Sequence, residues 1–107
     1  MAFVLKLLKA AQSNNGTATN LYTVPAATSA IVSNIRFVNT TASSATVNLF
    51  YKPLGAGSGI RILEKDKSIL ANKLLVIEPE LTLAATDVIE ATTSVVMDYV
   101  VCGTERV

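Results

Sequence analysis

Apolar and polar side chains alternate along most of this chain, the pattern of strands with one face buried and one face wet. The longest case is "AIVSNIRFVNT" (30–40). Strict alternation there places Ile31, Ser33, Ile35 and Phe37 on one face and Val32, Asn34, Arg36 and Val38 on the other. After the soft turn "TASS" comes "ATVNLFYK" (45–52), where Val47, Leu49 and Tyr51 oppose Thr46, Asn48 and Phe50. The two stretches read as a hairpin over 36–51, rich in hydroxyls and amides, with Arg36 its one charge there. Their β-branched residues favour a pleated surface over a helix.

The same reading extends in both directions. "LYTV" (21–24) predicts a short strand ended by Pro25, which cannot donate to a central ladder. "IRILEK" (60–65) and "KLLVIEP" (73–79) predict two more, joined through "SILANK". "ELTLAATDVIEATTS" (80–94) has the Ala, Leu and Glu content of a helix, but Pro79 and its β-branched residues favour two short strands around "AATD". "VVMDYVVCG" (95–103) alternates with both faces mostly apolar, so it is expected to be central or covered on its outer side. Between these lie "QSNNGTATN" (12–20), whose Asn15-Gly16 suits positive φ, and the Pro/Gly/Ser loop "PLGAGSG" (53–59).

The opening "MAFVLKLLKAAQS" fits either period. As a helix it gathers Val4, Leu7, Leu8 and Ala11 on one face, and as a strand it alternates imperfectly. Lys6 and Lys9 interrupt its apolar run, leaving neither a signal-peptide core nor a membrane span. Residues 1–19 are therefore expected to form an ordered arm or first strand with its loop, and residues 20–107 a sandwich domain. About eight strands with gaps too short for crossovers make an antiparallel, all-β sandwich of jelly-roll type.

Composition adds a constraint. In 107 residues, half are hydrophobic and 16% charged, with a mean hydropathy of +0.46. Either the core is large for the length, or apolar surface is covered by other subunits. Large bare patches are rare on monomers, which favours the second. Net charge is +1 with no basic stripe, so neither nucleic acid nor membrane is an expected partner. The alternating cluster "EKDKS" (64–68) reads as a solvated turn, and the glycosylation-like "NGT" and "NTT" as turn chemistry.

Candidate chemistry is sparse. No histidine exists to activate a serine or cysteine, and the single Cys102 reads as a small structural hydrophobe. The eight carboxylates show no spacing suited to paired acid–base work or a calcium loop, and "GAGSG" lacks the lysine and helix of a phosphate cradle. No catalytic, cofactor or metal residue is expected, and the chain does not read as an enzyme. Asp98 alone invites attention, on an otherwise apolar face, as a partner for Arg36 or Arg61 or as a subunit contact. Tyr22 and Tyr51 suit a sugar-stacking platform, but tyrosines at strand ends more often seal a core edge.

Two stretches resemble small virion proteins of tailed bacteriophages. "LYTVPAATSAIVSNIRFVNTTASSATVNLFY" (21–51) is similar to their opening, in which a "YTVPAG" phrase leads into a strand. "LTLAATDVIEATTS…VVCGTE" (81–105) is similar to their close, an "L-x-A-x-D" turn followed by a "G-x-E" strand. The chain departs at Ala27, where glycine is usual, and at Pro79-Glu80, where Pro-Gly is common. The resemblance implies a β-sandwich present in many copies on a virion, foremost a capsid decoration (cement) protein that clamps the major capsid protein. It would be made in the host cytoplasm and sit on the capsid surface, while the apolar outer face of the last strand and the arm suggest a homo-oligomer, with a trimer at three-fold positions as one arrangement. Phe3, Val4, Leu5, Leu7 and Leu8 of the arm, with Pro53, Leu54, Gly55, Ala56 and Gly57 of the loop and Asp98, are the candidate contacts. A tail or fibre subunit, and a carbohydrate-binding module recognising a host-surface glycan, are the alternatives.

Overall fold

The computed structural model describes residues 3–55 and 59–106, and of residues 3–6 the backbone alone. Ten strands are formed among these residues. They are β1 (Phe3–Gln12), β2 (Ala18–Thr23), β3 (Ser29–Val38), β4 (Ala45–Lys52), β5 (Ile60–Arg61), β6 (Lys67–Ile69), β7 (Leu74–Ile77), β8 (Leu81–Leu83), β9 (Val88–Thr93) and β10 (Asp98–Arg106). One sheet runs β1-β10-β3-β7, with β8 beside β7 along β3. The other runs β2-β9-β4-β5, with β6 also on β4. All the strand pairs are antiparallel.

Taking β5 with β6, and β7 with β8, as two interrupted strands leaves eight positions. Their pairing is nested: first with eighth, second with seventh, third with sixth, fourth with fifth. That is a long antiparallel ribbon folded over and rolled up, the jelly roll expected from the sequence.

The two inner faces meet in one core. Val32, Ile35, Phe37, Tyr99 and Val101 come from the first sheet, and Val47, Leu49, Ile89 and Ala91 from the second. Each large apolar side chain buried this way contributes about 1.5–3 kcal/mol. Phe37 lies directly across from Tyr99, with ring centroids 6.3 Å apart and planes tilted by 42°. Such an aromatic pair fixes register as well as adding contact.

The expected hairpin over 36–51 is not one. β3 and β4 belong to different sheets, so residues 39–44 arch across the end of the sandwich. Asn39, wholly buried, holds the arch. Its Nδ2 donates to the carbonyls of Ser43 (2.8 Å) and Ile69 (3.1 Å), and its Oδ1 accepts from Thr41 N (3.0 Å). An alternating strand carries the same sequence signature whether its neighbour in sequence pairs with it or packs across the core.

Simple alternation also misplaces half of β3. Ile31 is 37% exposed while Val32 is fully buried, and Ile35 and Phe37 are buried as expected. The cause is a bulge: Cys102 faces Asn34 and Gly103 faces Val32, leaving Ser33 unpaired. One extra residue reverses the parity of everything before it. Gly103 permits the close approach, since a Cβ there would lie 2.1 Å from the Ile31 carbonyl oxygen. A second irregularity faces it on the other side of β10, where Leu8 is skipped between Leu7 and Lys9.

Other boundaries shift modestly. β10 starts at Asp98 rather than Val95 and runs on through Glu105, central in its sheet. Only Ile60 and Arg61 of "IRILEK" pair as strand. The "AATD" turn separates β8 from β9 as expected, with Thr86 at φ 68° and Asp87 N donating to Ala84 O at 3.1 Å.

Candidate contact surfaces

The two outer faces differ in character. On the β2-β9-β4 side, Asn48 Oδ1 accepts from Arg61 Nη1 at 2.7 Å and its Nδ2 donates to Asp66 Oδ1 at 2.9 Å. Arg61 also lies over the Phe50 ring, 4.9 Å from its centre, and Lys52 pairs with Glu90 at 3.3 Å. The largest polar side chains of this face are thus paired with one another. The outer face of the β1-β10-β3-β7 sheet presents Leu7, Ala10, Val100, Cys102, Val38, Leu74 and Val76. Leu7 is 55% exposed and Leu74 52%. That is the apolar outer covering of the last strand that the sequence suggests, now joined by residues of three neighbours.

At one end of the sandwich a carboxylate builds a rigid turn. Pro53–Gly55 follows β4 directly, and Leu54 stands at φ 56° with its side chain 71% exposed. The backbone is held by Asp87, which is buried. Its Oδ1 accepts from Leu54 N at 3.0 Å, and its Oδ2 accepts from Ala84 N at 2.9 Å and the Tyr51 hydroxyl at 3.0 Å. These bonds, Leu54's first, hold the Asp87 carboxyl below its ordinary value although burial pulls the other way. The same hydrogen bond raises the Tyr51 phenol. An apolar side chain is thereby held out to solvent in a conformation that a leucine adopts only under restraint.

A cleft of about 560 Å³ opens between the edges of the two sheets, lined by Leu8, Lys9, Asn20, Tyr22, Thr23 and Glu105 among others. At its floor the Tyr22 hydroxyl donates to Glu105 Oε2 at 2.5 Å. Burial, reinforced by this carboxylate, raises the Tyr22 phenol well above its usual value. The ring is only 6% exposed, so Tyr22 offers no stacking face to a sugar. It seals a core edge.

The candidate contacts separate accordingly. Leu7 is exposed, while Leu8 is half-buried, packing against the core and lining the cleft, because the irregularity between Leu7 and Lys9 turns it inward. Phe3, Val4 and Leu5 run along β10 as part of β1, and their side chains lie outside the described residues. Pro53 and Leu54 are exposed and Gly55 closes the turn, while Ala56 and Gly57 lie outside the described residues. Asp98 is exposed and accepts from Gln12 Nε2 at 3.0 Å. Among the described residues it pairs with neither Arg36 nor Arg61, since Arg61 is engaged on the opposite sheet. Asp87 and Tyr51 as a clamp escape sequence reasoning. The available signal is an aspartate closing a turn beside a tyrosine-ended strand, which names no partner for either.

No family model matches the sequence, and no curated protein matches it. Among solved structures, the chain is similar to one from the structure of infectious bursal disease virus Gx strain, with a TM-score of 0.53 and 11% identity. The match covers 97% of this chain and 32% of that one, so this chain spans about a third of its neighbour's length. At that identity the likeness is one of fold: this β-sandwich has a counterpart of similar fold within part of a chain of a virus structure.

Proposed function

We propose that this chain is a non-enzymatic structural protein of a virus particle, and within that class a bacteriophage capsid decoration (cement) protein that binds the major capsid protein shell. The observation that carries the reading is the jelly-roll sandwich, to which part of a chain in a virus structure is similar in fold over 97% of this chain. The phage-like phrases at 21–51 and 81–105 agree with it and supply the tailed-phage assignment. The apolar outer face and the restrained Leu54 are features a subunit would present to neighbours. Its action would be binding alone. A protein that binds the assembled shell and not the dissociated subunits stabilises the shell by mass action. A stable contact needs roughly 1,000 Å² or more of buried surface.

Co-sedimentation with expanded empty capsids tests the reading. Pelleting that saturates at a fixed number of copies per shell is expected. Folded protein that stays in the supernatant overturns the decoration role, and pelleting with purified tails instead would favour the tail or fibre alternative. The carbohydrate alternative has less support, because Tyr22 is buried and the Tyr51 hydroxyl is committed to Asp87.

A further inference from the structure

The register of β10 on β3 sets four outward side chains at the corners of a rectangle: Asp98 opposite Val38, and Val100 opposite Arg36. They point outward because Met97, Tyr99, Val101, Ile35, Phe37 and Asn39, their sequence neighbours, are all buried. One diagonal of this rectangle holds two valines and the other an arginine and an aspartate. The apolar diagonal continues at both ends, since Ala10 lies opposite Val100 and Leu74 opposite Val38. An apolar line therefore crosses all four strands, with a cation on one side and an anion on the other.

Arg36 is exposed and makes no hydrogen bond or ion pair with any described residue. Asp98 is steadied by Gln12 from its own sheet and keeps acceptor capacity toward solvent. A two-fold axis laid along the apolar line exchanges its two sides. Two copies related by that axis bring Val100, Val38 and Leu74 against their own counterparts. They also set each Arg36 against the partner's Asp98, twice over. The face is thus self-complementary in both charge and apolar pattern, the condition for an isologous contact. The opposite outer face, with its internally paired Arg61, Lys52 and Glu90, has no such pattern.

We infer that a second copy of this chain docks on the outer face of the β1-β10-β3-β7 sheet, forming a two-fold dimer with reciprocal Arg36–Asp98 pairs. The two-fold arrangement is an alternative to the trimer that the apolar last strand and the arm suggest in sequence. The contact is a property of the chain alone and does not rest on the proposed capsid role, so failure to bind shells leaves it standing.

Sedimentation velocity on the full chain across a concentration series tests it, using the unaltered protein, Arg36→Glu, Asp98→Arg and the double reversal. The unaltered chain is expected to dimerise. Each single reversal, present twice per dimer, should weaken it by about tenfold or more, and the double reversal should restore it. Both positions are exposed, so thermal unfolding of the four proteins at concentrations too low for the dimer should nearly coincide, which separates loss of contact from loss of fold. Raising salt on the unaltered chain should also weaken the dimer, with no substitution involved. A monomer at all concentrations, a trimer, or a dimer indifferent to both reversals would overturn the inference.

Discussion

Ala27 and Glu80 both stand in the left-handed backbone conformation that glycine takes freely, at φ 58° and 53°. A side chain in this region costs about 1 kcal/mol or more, and only part is recovered through the lower entropy of the unfolded chain. Ala27→Gly and Glu80→Gly are each expected to raise stability by about 0.5–1 kcal/mol. Urea unfolding checks this, and a loss of stability in both would mean that the turns are not held as described. Asp87 gives a second test at this scale. Its carboxyl is depressed in the folded protein, so the stability it lends is complete above the ordinary value of 3.8 and is lost as pH falls through the lower folded value. Asp87→Asn should cost about 1–3 kcal/mol at neutral pH and flatten the stability curve on the acid side. An unchanged acid limb in the variant would show that Asp87 does not carry that dependence.

Strands were far more legible than the connections between them. Alternation in 45–52 places the buried residues correctly because that stretch contains no bulge. It fails in β3 because one skipped residue, Ser33, depends on Gly103 some seventy positions away, and pattern cannot see across that distance. The hairpin reading of 36–51 failed for a related reason: alternation reports burial and is silent on which strand supplies the neighbour. Among the candidate contacts, Leu54 was legible as part of an open loop, whereas its clamp joins residues from two turns far apart in sequence. Buried and exposed sides of the bulge can be told apart directly. Val32→Ala should cost about 2 kcal/mol and Ile31→Thr under about 1 kcal/mol. Unbroken alternation would reverse that order.

At the scale of the molecule, the chain divides its surface by sheet. One outer face carries internally paired polar groups; the other is largely apolar, with Arg36 and Asp98 exposed on either side of an apolar line. A 107-residue sandwich with +1 net charge gains little colloidal protection from charge, and covering one face resolves the apolar excess of its composition. A jelly roll is also well suited to a shell component. Its sheets are closed over a single core, and its loops and outer faces are left for neighbours. Location on the particle tests that role most directly. Virus particles that carry the gene, labelled with an antibody to this chain and viewed by electron microscopy, should show label spread over the capsid surface. Label confined to the tail, or absent from intact particles that have incorporated their other structural proteins, would contradict it.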